Sequence, residues 1–263
     1  MADDALTEAG RKGGAFAGYR RGMNAVRVNG LGRTVRGEDG SPFVLFKDLD
    51  LLLTPGRAVG LTGPDDAGGG AVLRVLAGLD RASAGEIEFL RRPDEPKRHA
   101  SVTSQRRSLV HAGVLAPLFA ADVAAGLREL RTFGTASAED AVRLVPKDIL
   151  ARAVAEPSDA VRPPKDALRR IAIAAAAAIR PRAVLISVDR PHPDRAERLR
   201  LVAVIRSVLA AGPAVVLATQ DERLLAAVAS EILILFDGTV TARGAPEETI
   251  PAAVSDLGRE VPP

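Results

Sequence analysis

A glycine-rich stretch early in the chain has the residue types and spacing of a phosphate-binding loop. Segment 57–78 reads RAVGLTGPDDAGGGAVLRVLAG, and its apolar pattern predicts a buried strand at 58–61 and a helix at 71–77. In such a strand–loop–helix layout, successive backbone N–H groups and the helix N-terminus face an anion. Gly63 and Gly68 match the two glycines of the pattern G-x-x-x-x-G-K-[ST]. The chemistry indicated by this stretch is the binding of a phosphate group.

The two side chains that complete the pattern are replaced by glycine. Gly69 stands at the lysine position and Gly70 at the hydroxyl position. A lost charge-assisted hydrogen bond costs roughly 1.5–3 kcal/mol, on the order of 10- to 100-fold in affinity. Asp65 and Asp66 also place carboxylates where an incoming phosphate is negative. We therefore expect a loop that keeps the shape of a phosphate site with vestigial nucleotide contacts only, at Gly63, Pro64, Asp65, Asp66, Ala67, Gly68, Gly69 and Gly70.

The strands and helices that must hold this loop can be predicted from the apolar pattern. Strand-like runs at 25–28 and 43–53 predict a small antiparallel sheet before the loop. Further along, near-continuous apolar runs at 183–188, 214–218 and 231–236 alternate with helical segments. This alternation predicts an α/β fold with a parallel sheet covered by helices on both faces.

The helical segments carry their own signals. Residues 112–165 show no clear strand pattern, and this segment is predicted to be an all-helical insertion. Asp166 is expected to cap a helix at 167–179. Segment 195–211 predicts an amphipathic helix whose apolar stripe consists of Leu199, Val202, Ile205 and Leu209.

Composition excludes several classes of function. The hydrophobic content of 47% and charged content of 26% are those of an ordinary globular protein. The net charge is only +3 and aromatic residues make up 3%, which argues against nucleic-acid binding. The chain has no Cys, so disulfides and zinc–thiolate sites are excluded. Its three His residues are scattered without a pair at ligand spacing, so a metal centre built on histidine is not expected.

Neither end of the chain shows a targeting pattern. Residues 1–22 begin with acidic residues and lack an apolar segment, so we expect a flexible tail rather than a secretory signal. The longest apolar run, at 171–179, is far shorter than the roughly 18 residues that span a bilayer. Residues 251–263 are expected to form a second tail. The sequence therefore predicts a soluble protein, or one attached to a membrane only through a partner.

In order and length, these segments resemble the ATP-binding cassette (ABC) ATPase subunit. The stretches that carry the resemblance are DLDLLLTPG, VLAGLDRASAGEIEF and EILILFDGTVTARGAPEE, within a similarity that covers residues 26–250. The resemblance implies a P-loop NTPase-type parallel sheet, a small antiparallel β-subdomain and the helical insertion, together in one domain at 23–250. It also implies two partners, a membrane-spanning transporter subunit and another cassette, in a homo- or heterodimer.

The resemblance also assigns positions around the strand at 183–188. Asp189 matches the aspartate that is linked to Mg²⁺ in the family. Arg190 replaces the glutamate that polarises the attacking water, and a guanidinium cannot accept a proton. The signature Leu-Ser-Gly-Gly-Gln falls on 163–167, which reads PPKDA, and its prolines remove backbone donors.

Two further family positions are altered. Gln220 stands at the switch histidine and cannot shuttle a proton. The glutamine that links the core to the helical lobe aligns with His111, or less well with Gln105. The resemblance as a whole therefore implies a family member whose catalytic side chains are missing together.

These replacements lead us to expect a catalytically degenerate cassette. It would not hydrolyse ATP efficiently, would bind ATP and Mg²⁺ weakly if at all, and would act as a structural or regulatory cassette on a membrane transporter, at the inner face of the membrane. Two alternatives stay open: a weakly active ATP-binding and ATP-hydrolysing transporter subunit, and a nucleotide-independent cytoplasmic scaffold or regulator.

Overall fold

The computed structural model describes residues 25–64, 68–90, 105–106, 108–120, 165–188 and 194–260. Its strands are β1 (Val26–Arg36), β2 (Pro42–Leu53), β3 (Ala58–Thr62), β4 (Ala84–Phe89), β5 (Leu109–His111), β6 (Ala183–Val188), β7 (Ala214–Thr219), β8 (Glu231–Phe236) and β9 (Thr239–Gly244). Its helices are α1 (Gly69–Leu76), α2 (Ala112–Phe119), α3 (Lys165–Ala178), α4 (Arg195–Ala211), α5 (Glu222–Val228), α6 (Pro246–Thr249) and α7 (Pro251–Glu260).

Three strands form the small antiparallel sheet that the sequence predicts. Their order is β2-β1-β4, and Val26 pairs with Leu53 on one side and with Phe89 on the other. β1 is longer than predicted, because Gly30 and Gly32 interrupt its apolar pattern and the sequence offers no signal beyond them. The strand nevertheless continues to Arg36 through register shifts after Val28.

Six strands form the main sheet, in the order β5-β6-β7-β3-β8-β9. All neighbours are parallel except the last pair, β8 and β9, which is antiparallel. α1 and the small sheet cover one face, where Val59 and Leu61 are buried. α3, α4 and α5 cover the other face, where Ala58 is buried. The predicted α/β fold with helices on both faces is confirmed, and β3 lies in the interior of the sheet.

Two helices differ from their sequence predictions. α3 begins at Lys165, so Asp166 lies in its first turn rather than at the cap, with one carboxylate oxygen 3.6 Å from Arg169. The buried side of α4 differs from the predicted stripe, because Leu199 is 43% exposed and Leu209 is only partly buried. The buried apolar residues in its centre are Leu201, Val202, Val204, Ile205 and Val208. The reason is that Glu197 and Arg198 are also turned toward the protein interior.

The expectation of a tail from residue 251 is wrong for residues 251–260. These residues form α7, and Ile250 and Ala253 are buried in the core. Asp256 of α7 also pairs with Arg223 of α5 at 2.9 Å. The chain therefore continues to pack beyond residue 250, because an apolar contact and an ion pair attach α7 to α5.

Other parts of the predicted organisation lie outside the described residues. They include the tail at 1–22 and most of the helical insertion at 112–165, of which α2 and the first residue of α3 are described. Within the described residues, no helix is both long enough and apolar enough to cross a membrane.

Candidate functional site

The glycine-rich loop connects the interior strand β3 to α1. Gly68 is the N-cap of α1 and has a left-handed backbone, with φ of 85°. Its carbonyl accepts the first helical hydrogen bond, from the N–H of Val72 at 2.9 Å. A Cβ atom at Gly68 would overlap the carbonyl oxygen of Leu45 in β2. Glycine is therefore required here both by the backbone angle and by the packing of the small sheet against the loop.

Gly69 and Gly70 face open space rather than packed atoms. A Cβ atom at Gly69 would meet Ala218 at 3.4 Å, an ordinary contact, and one at Gly70 would meet nothing within 4 Å. The first backbone N–H groups of a helix have no partner within it. The start of α1 therefore presents backbone N–H groups, and among the described residues a Cβ atom fits at both glycine positions. Asp65, Asp66 and Ala67 lie outside the described residues.

The carboxyl ends of neighbouring strands bring other predicted residues to the same edge of the sheet. β3 pairs directly with β7, and Gln220 follows β7, so the switch position lies beside the loop. Val188 at the end of β6 pairs with Thr219 at the end of β7. Asp189 and Arg190 follow Val188 in the sequence and lie outside the described residues.

His111 lies farther from the loop and has a local structural contact. It ends β5, which is separated from β3 by β6 and β7, a lateral distance of about 14 Å. The backbone N–H of Gly113 donates to His111 Nδ1 at 3.1 Å, which caps α2. This ring nitrogen must therefore be unprotonated. This capping contact could not be predicted from sequence, because histidine is not among the usual N-cap residues.

Gln105, the less favoured candidate for the linking position, lies at the opposite end of α1. It is 8% exposed, and its side-chain amide donates to the carbonyl oxygens of Val75 at 2.6 Å and Leu76 at 2.9 Å. α1 is about 12 Å long, so this contact lies far from Gly68. In this structure Gln105 therefore caps the end of α1 and does not reach toward the phosphate loop.

We predict that Gln105→Leu lowers the free energy of unfolding by about 1–3 kcal/mol, because two buried carbonyl groups lose their donor. The measurement is equilibrium urea denaturation of the full chain. Arg106→Met is the matched control: it removes one hydrogen bond, to the carbonyl of Gly78 at 3.0 Å, from an exposed side chain. Equal small losses in both variants would contradict the capping role of Gln105.

A cleft of about 450 Å³ lies between the end of α1 and the small sheet. Its lining includes apolar, polar and charged residues: Leu31, Val75, Leu79, Asp80, Arg81, Glu86, Ile87, Gln105 and Arg106. Arg74 binds Asp80 through two hydrogen bonds, of 2.8 and 3.0 Å. The hydrogen bond from Arg74 lowers the pKa of Asp80, and the same contact raises the pKa of Arg74.

We predict that Arg74→Met lowers the free energy of unfolding at pH 7 by at most about 1 kcal/mol, because solvent screens this pair. Because the folded-state pKa of Asp80 is below its unfolded value of about 3.9, the pair contributes above that pH and its contribution disappears as the pH falls through the folded pKa. Urea denaturation over a pH series downward from 7 should therefore show a difference that is constant above the unfolded pKa and shrinks progressively below it. Asp80→Asn should give the same loss at pH 7, and a persisting difference in acid would contradict the pairing.

Magnesium can be tested against the residues present. Mg²⁺ requires oxygen ligands, commonly a hydroxyl and a carboxylate beside phosphate groups. Gly70 offers no hydroxyl, and Asp189, the carboxylate at the vestigial Mg²⁺ position, lies outside the described residues. In the described part of the chain, no group of three or more His, Asp or Glu residues could hold a metal ion. The described residues therefore do not form a magnesium site of their own.

Comparisons with known proteins place these features in one family. The chain is 31% identical over 208 residues to the cobalt import ATP-binding protein CbiO of Rhodobacter capsulatus, covering 75% of this chain and 72% of that protein. It is 30% identical over 222 residues to Nod factor export ATP-binding protein I of Cupriavidus metallidurans, covering 83% of this chain and 71% of that protein. No protein-family model matches the chain.

A solved structure shows the same fold. It is a dimeric ATP-binding cassette in a post-hydrolysis state with bound ADP and Pi, and it matches with a TM-score of 0.63 at 20% identity, covering 84% of this chain and 98% of that chain. The chain belongs to the ATP-binding cassette family of ABC transporter ATP-binding proteins. It spans 37% of the length of two Streptomyces ABC transporter relatives that it also matches.

Four buried charged residues near the site were missed by sequence reasoning: Arg170, Glu197, Arg198 and Asp221. Glu197 and Arg198 stand four residues before Leu201 and Val202. This spacing places Glu197, Arg198, Leu201 and Val202 on the same side of α4. This spacing indicates buried ion pairs, because charged residues that continue the apolar side of a helix need partners inside the protein.

Proposed function

We propose that this chain acts as an ATP-binding subunit of a membrane transporter and that it holds nucleotide weakly and turns it over slowly. The observation that carries the proposal is the open space beside Gly69 and Gly70 at the start of α1. Backbone N–H groups and the helix dipole still attract a phosphate there. The charge and the hydroxyl that would hold it tightly are lacking in the sequence, and Asp65 and Asp66 oppose it.

The proposed slow turnover follows from the residues at the strand ends. General-base assistance contributes about 10²–10⁴-fold to a rate. Arg190 cannot accept a proton, and Gln220 can donate a hydrogen bond but cannot transfer a proton at neutral pH. We propose that hydrolysis is reduced at least by this factor, whatever the affinity for nucleotide.

We further propose two partners, a second cassette and a membrane-spanning subunit, with the chain at the cytoplasmic face of the membrane. The relatives named for import and export, and the dimeric cassette with the same fold, support this assembly. The cleft at the end of α1 supports contact with the membrane-spanning subunit, since Leu79 is 36% exposed there beside charged side chains. Such a surface fits a partner segment that carries both apolar and charged residues.

The test is a titration of the full chain with a fluorescent ATP analogue and Mg²⁺, followed by a phosphate-release assay. We expect weak, saturable binding that ADP competes away, and phosphate release only slightly above the buffer rate. Micromolar affinity together with sustained turnover would overturn the proposal. Absence of any saturable binding would instead favour a scaffold that does not use nucleotide.

A second candidate function is an ATP-hydrolysing transporter subunit. The specific observation in its favour is the similarity to proteins named as ATP-binding subunits over three quarters of the chain. The same phosphate-release assay separates the two candidate functions, because only an ATP-hydrolysing subunit predicts sustained turnover. A Gly68→Ala variant would be the matched control for release by a contaminating enzyme, since that release would be unaffected.

A further inference from the structure

Buried polar residues of the described chain are concentrated at the start of α4. Seven polar or charged residues are buried in the described ranges, and five of them form one cluster: Arg170, Glu197, Arg198, Thr219 and Asp221. Removing a charged side chain from water is unfavourable unless it is paired and hydrogen-bonded. The next turn of α4 fills the interior with the apolar side chains of Leu201 and Val202. The cluster therefore calls for an explanation other than filling the core.

Adjacent residues of α4 reach in two directions. Glu197 contacts Arg170 of α3, with Nε and Oε1 2.8 Å apart. Arg198 donates from Nε to Oδ2 of Asp221, at the start of α5, at 3.2 Å. Both pairs are largely shielded from water, the side chains of Arg170 and Glu197 being 7% and 8% exposed and those of Arg198 and Asp221 10% and 4%. One turn of α4 thus joins α3 to α5.

Asp221 holds the backbone on both sides of its own position. Its Oδ1 accepts the N–H of Leu224 at 3.0 Å, which caps α5. Its own N–H donates to Oγ1 of Thr219 at 3.0 Å. Gln220 lies between these two contacts, at the end of β7 and beside the strand that leads into the phosphate loop. Arg198 therefore reaches the switch position through a single residue.

We propose that the pairs Arg170–Glu197 and Arg198–Asp221 form an α4 clamp that positions the backbone of residues 219–222. Arg198 is a positioning residue in this clamp, because it acts on Gln220 through Asp221. The clamp joins α3, α4 and α5, and two of these helices begin at altered family positions: α3 begins within the signature segment 163–167, and α5 begins two residues after Gln220. The inference goes beyond nucleotide binding and needs no nucleotide for its test.

The experiment is amide hydrogen exchange on the full chain without nucleotide, comparing Arg198→Met with wild type. We expect the protection of the Leu224 and Leu225 amides to fall by about 10-fold or more, because a charge-assisted contact to a buried carboxylate is lost. This fall should exceed any fall in β7, whose amides exchange mainly through global unfolding. Arg198→Lys should lose less, since an ammonium keeps the charge. Ser207→Ala, whose hydroxyl donates to Ala203 of the same helix, is the control. Unchanged protection, or an equal fall throughout β7, would overturn the proposal.

Two further variants keep the test decisive. Asp221→Asn keeps one side-chain oxygen for the cap of α5 and replaces the oxygen that accepts from Arg198 by an amide NH2 group, so it breaks the pair from the other side and replaces Arg198→Met if that variant does not fold. We expect the same local loss. Glu197→Gln tests the joint action of the clamp, because it alters the contacts of Glu197 with Arg170 of α3 and with Arg200 of α4 and leaves the Arg198–Asp221 pair in place. A fall of about 3-fold or more at Leu224 in this variant supports a clamp, and full protection there would overturn it.

Discussion

Gly68→Ala is expected to lower the free energy of unfolding by about 2–5 kcal/mol, the largest stability effect that we predict for a single methyl group in this protein. Two penalties add. An alanine at φ of 85° is in a strained backbone conformation, and its Cβ atom would overlap the carbonyl oxygen of Leu45. Because that oxygen belongs to the backbone of β2, it cannot move without displacing the small sheet. The measurement is equilibrium urea denaturation followed by circular dichroism.

Gly70→Ala is the matched control two residues away. Nothing lies within 4 Å of its added Cβ atom, and the position is helical. Alanine should therefore stabilise the protein by about 0.5–1 kcal/mol, through helix propensity. Opposite signs in the two variants are the expected outcome. A Gly68→Ala variant as stable as wild type would show that the loop is not held against β2 as described.

The strand and the helix on either side of the glycine-rich loop, β3 and α1, could be predicted from sequence because they depend on local rules. A buried strand, a glycine at the spacing of the pattern and a periodic helix each leave a direct mark on the chain. The parallel strands could be predicted for the same reason: β6 and β8 have the predicted bounds, since strands buried on both faces are near-continuous apolar runs.

The α4 clamp could not be predicted by the same rules. The stripe through Leu199 assumed that charged residues face water, whereas Glu197 and Arg198 face inward because their partners lie on α3 and α5. Those partners are 27 and 23 residues away in the sequence, at Arg170 and Asp221. A rule based on local periodicity cannot include a contact at that separation.

The capping contacts show the same limit in the candidate site. Both His111 and Gln105 are candidates for the position that links the core to the helical lobe, because an alignment considers residue type and order alone. The structure gives each a hydrogen bond at a different helix end, Gln105 at the end of α1 and His111 at the start of α2. Which of two side chains faces the loop depends on the path of the chain between them, and spacing along the sequence does not define that path.

The double variant Gly69→Lys/Gly70→Thr is expected to raise the affinity for Mg²⁺-ATP by about 10- to 100-fold. A lysine at position 69 adds a charge-assisted hydrogen bond to the phosphates, worth roughly 1.5–3 kcal/mol. The first side-chain atom fits at both positions, because the nearest atom to a Cβ at Gly69 is 3.4 Å away and a Cβ at Gly70 meets nothing within 4 Å. The measurement is the same titration with the fluorescent ATP analogue, carried out on wild type and variant at equal ionic strength.

Gly69→Met/Gly70→Thr is the matched control for the gain. Methionine has a flexible chain and a helix propensity close to that of lysine, and it carries no charge. It should reproduce any stabilisation of α1 and should leave the affinity for nucleotide near that of wild type. Equal affinity gains in the two double variants would show that helix stability, rather than the lost charge, limits binding.

The turnover of the lysine variant distinguishes binding from catalysis. Arg190 and Gln220 are unchanged in it, so we expect tighter binding without faster phosphate release, because neither side chain can take the proton from water. Release that rises in step with affinity would contradict catalytic degeneracy and favour an active subunit whose only deficiency is in binding. No gain in affinity would mean that Asp65 and Asp66 oppose the phosphates strongly enough to offset a new positive charge.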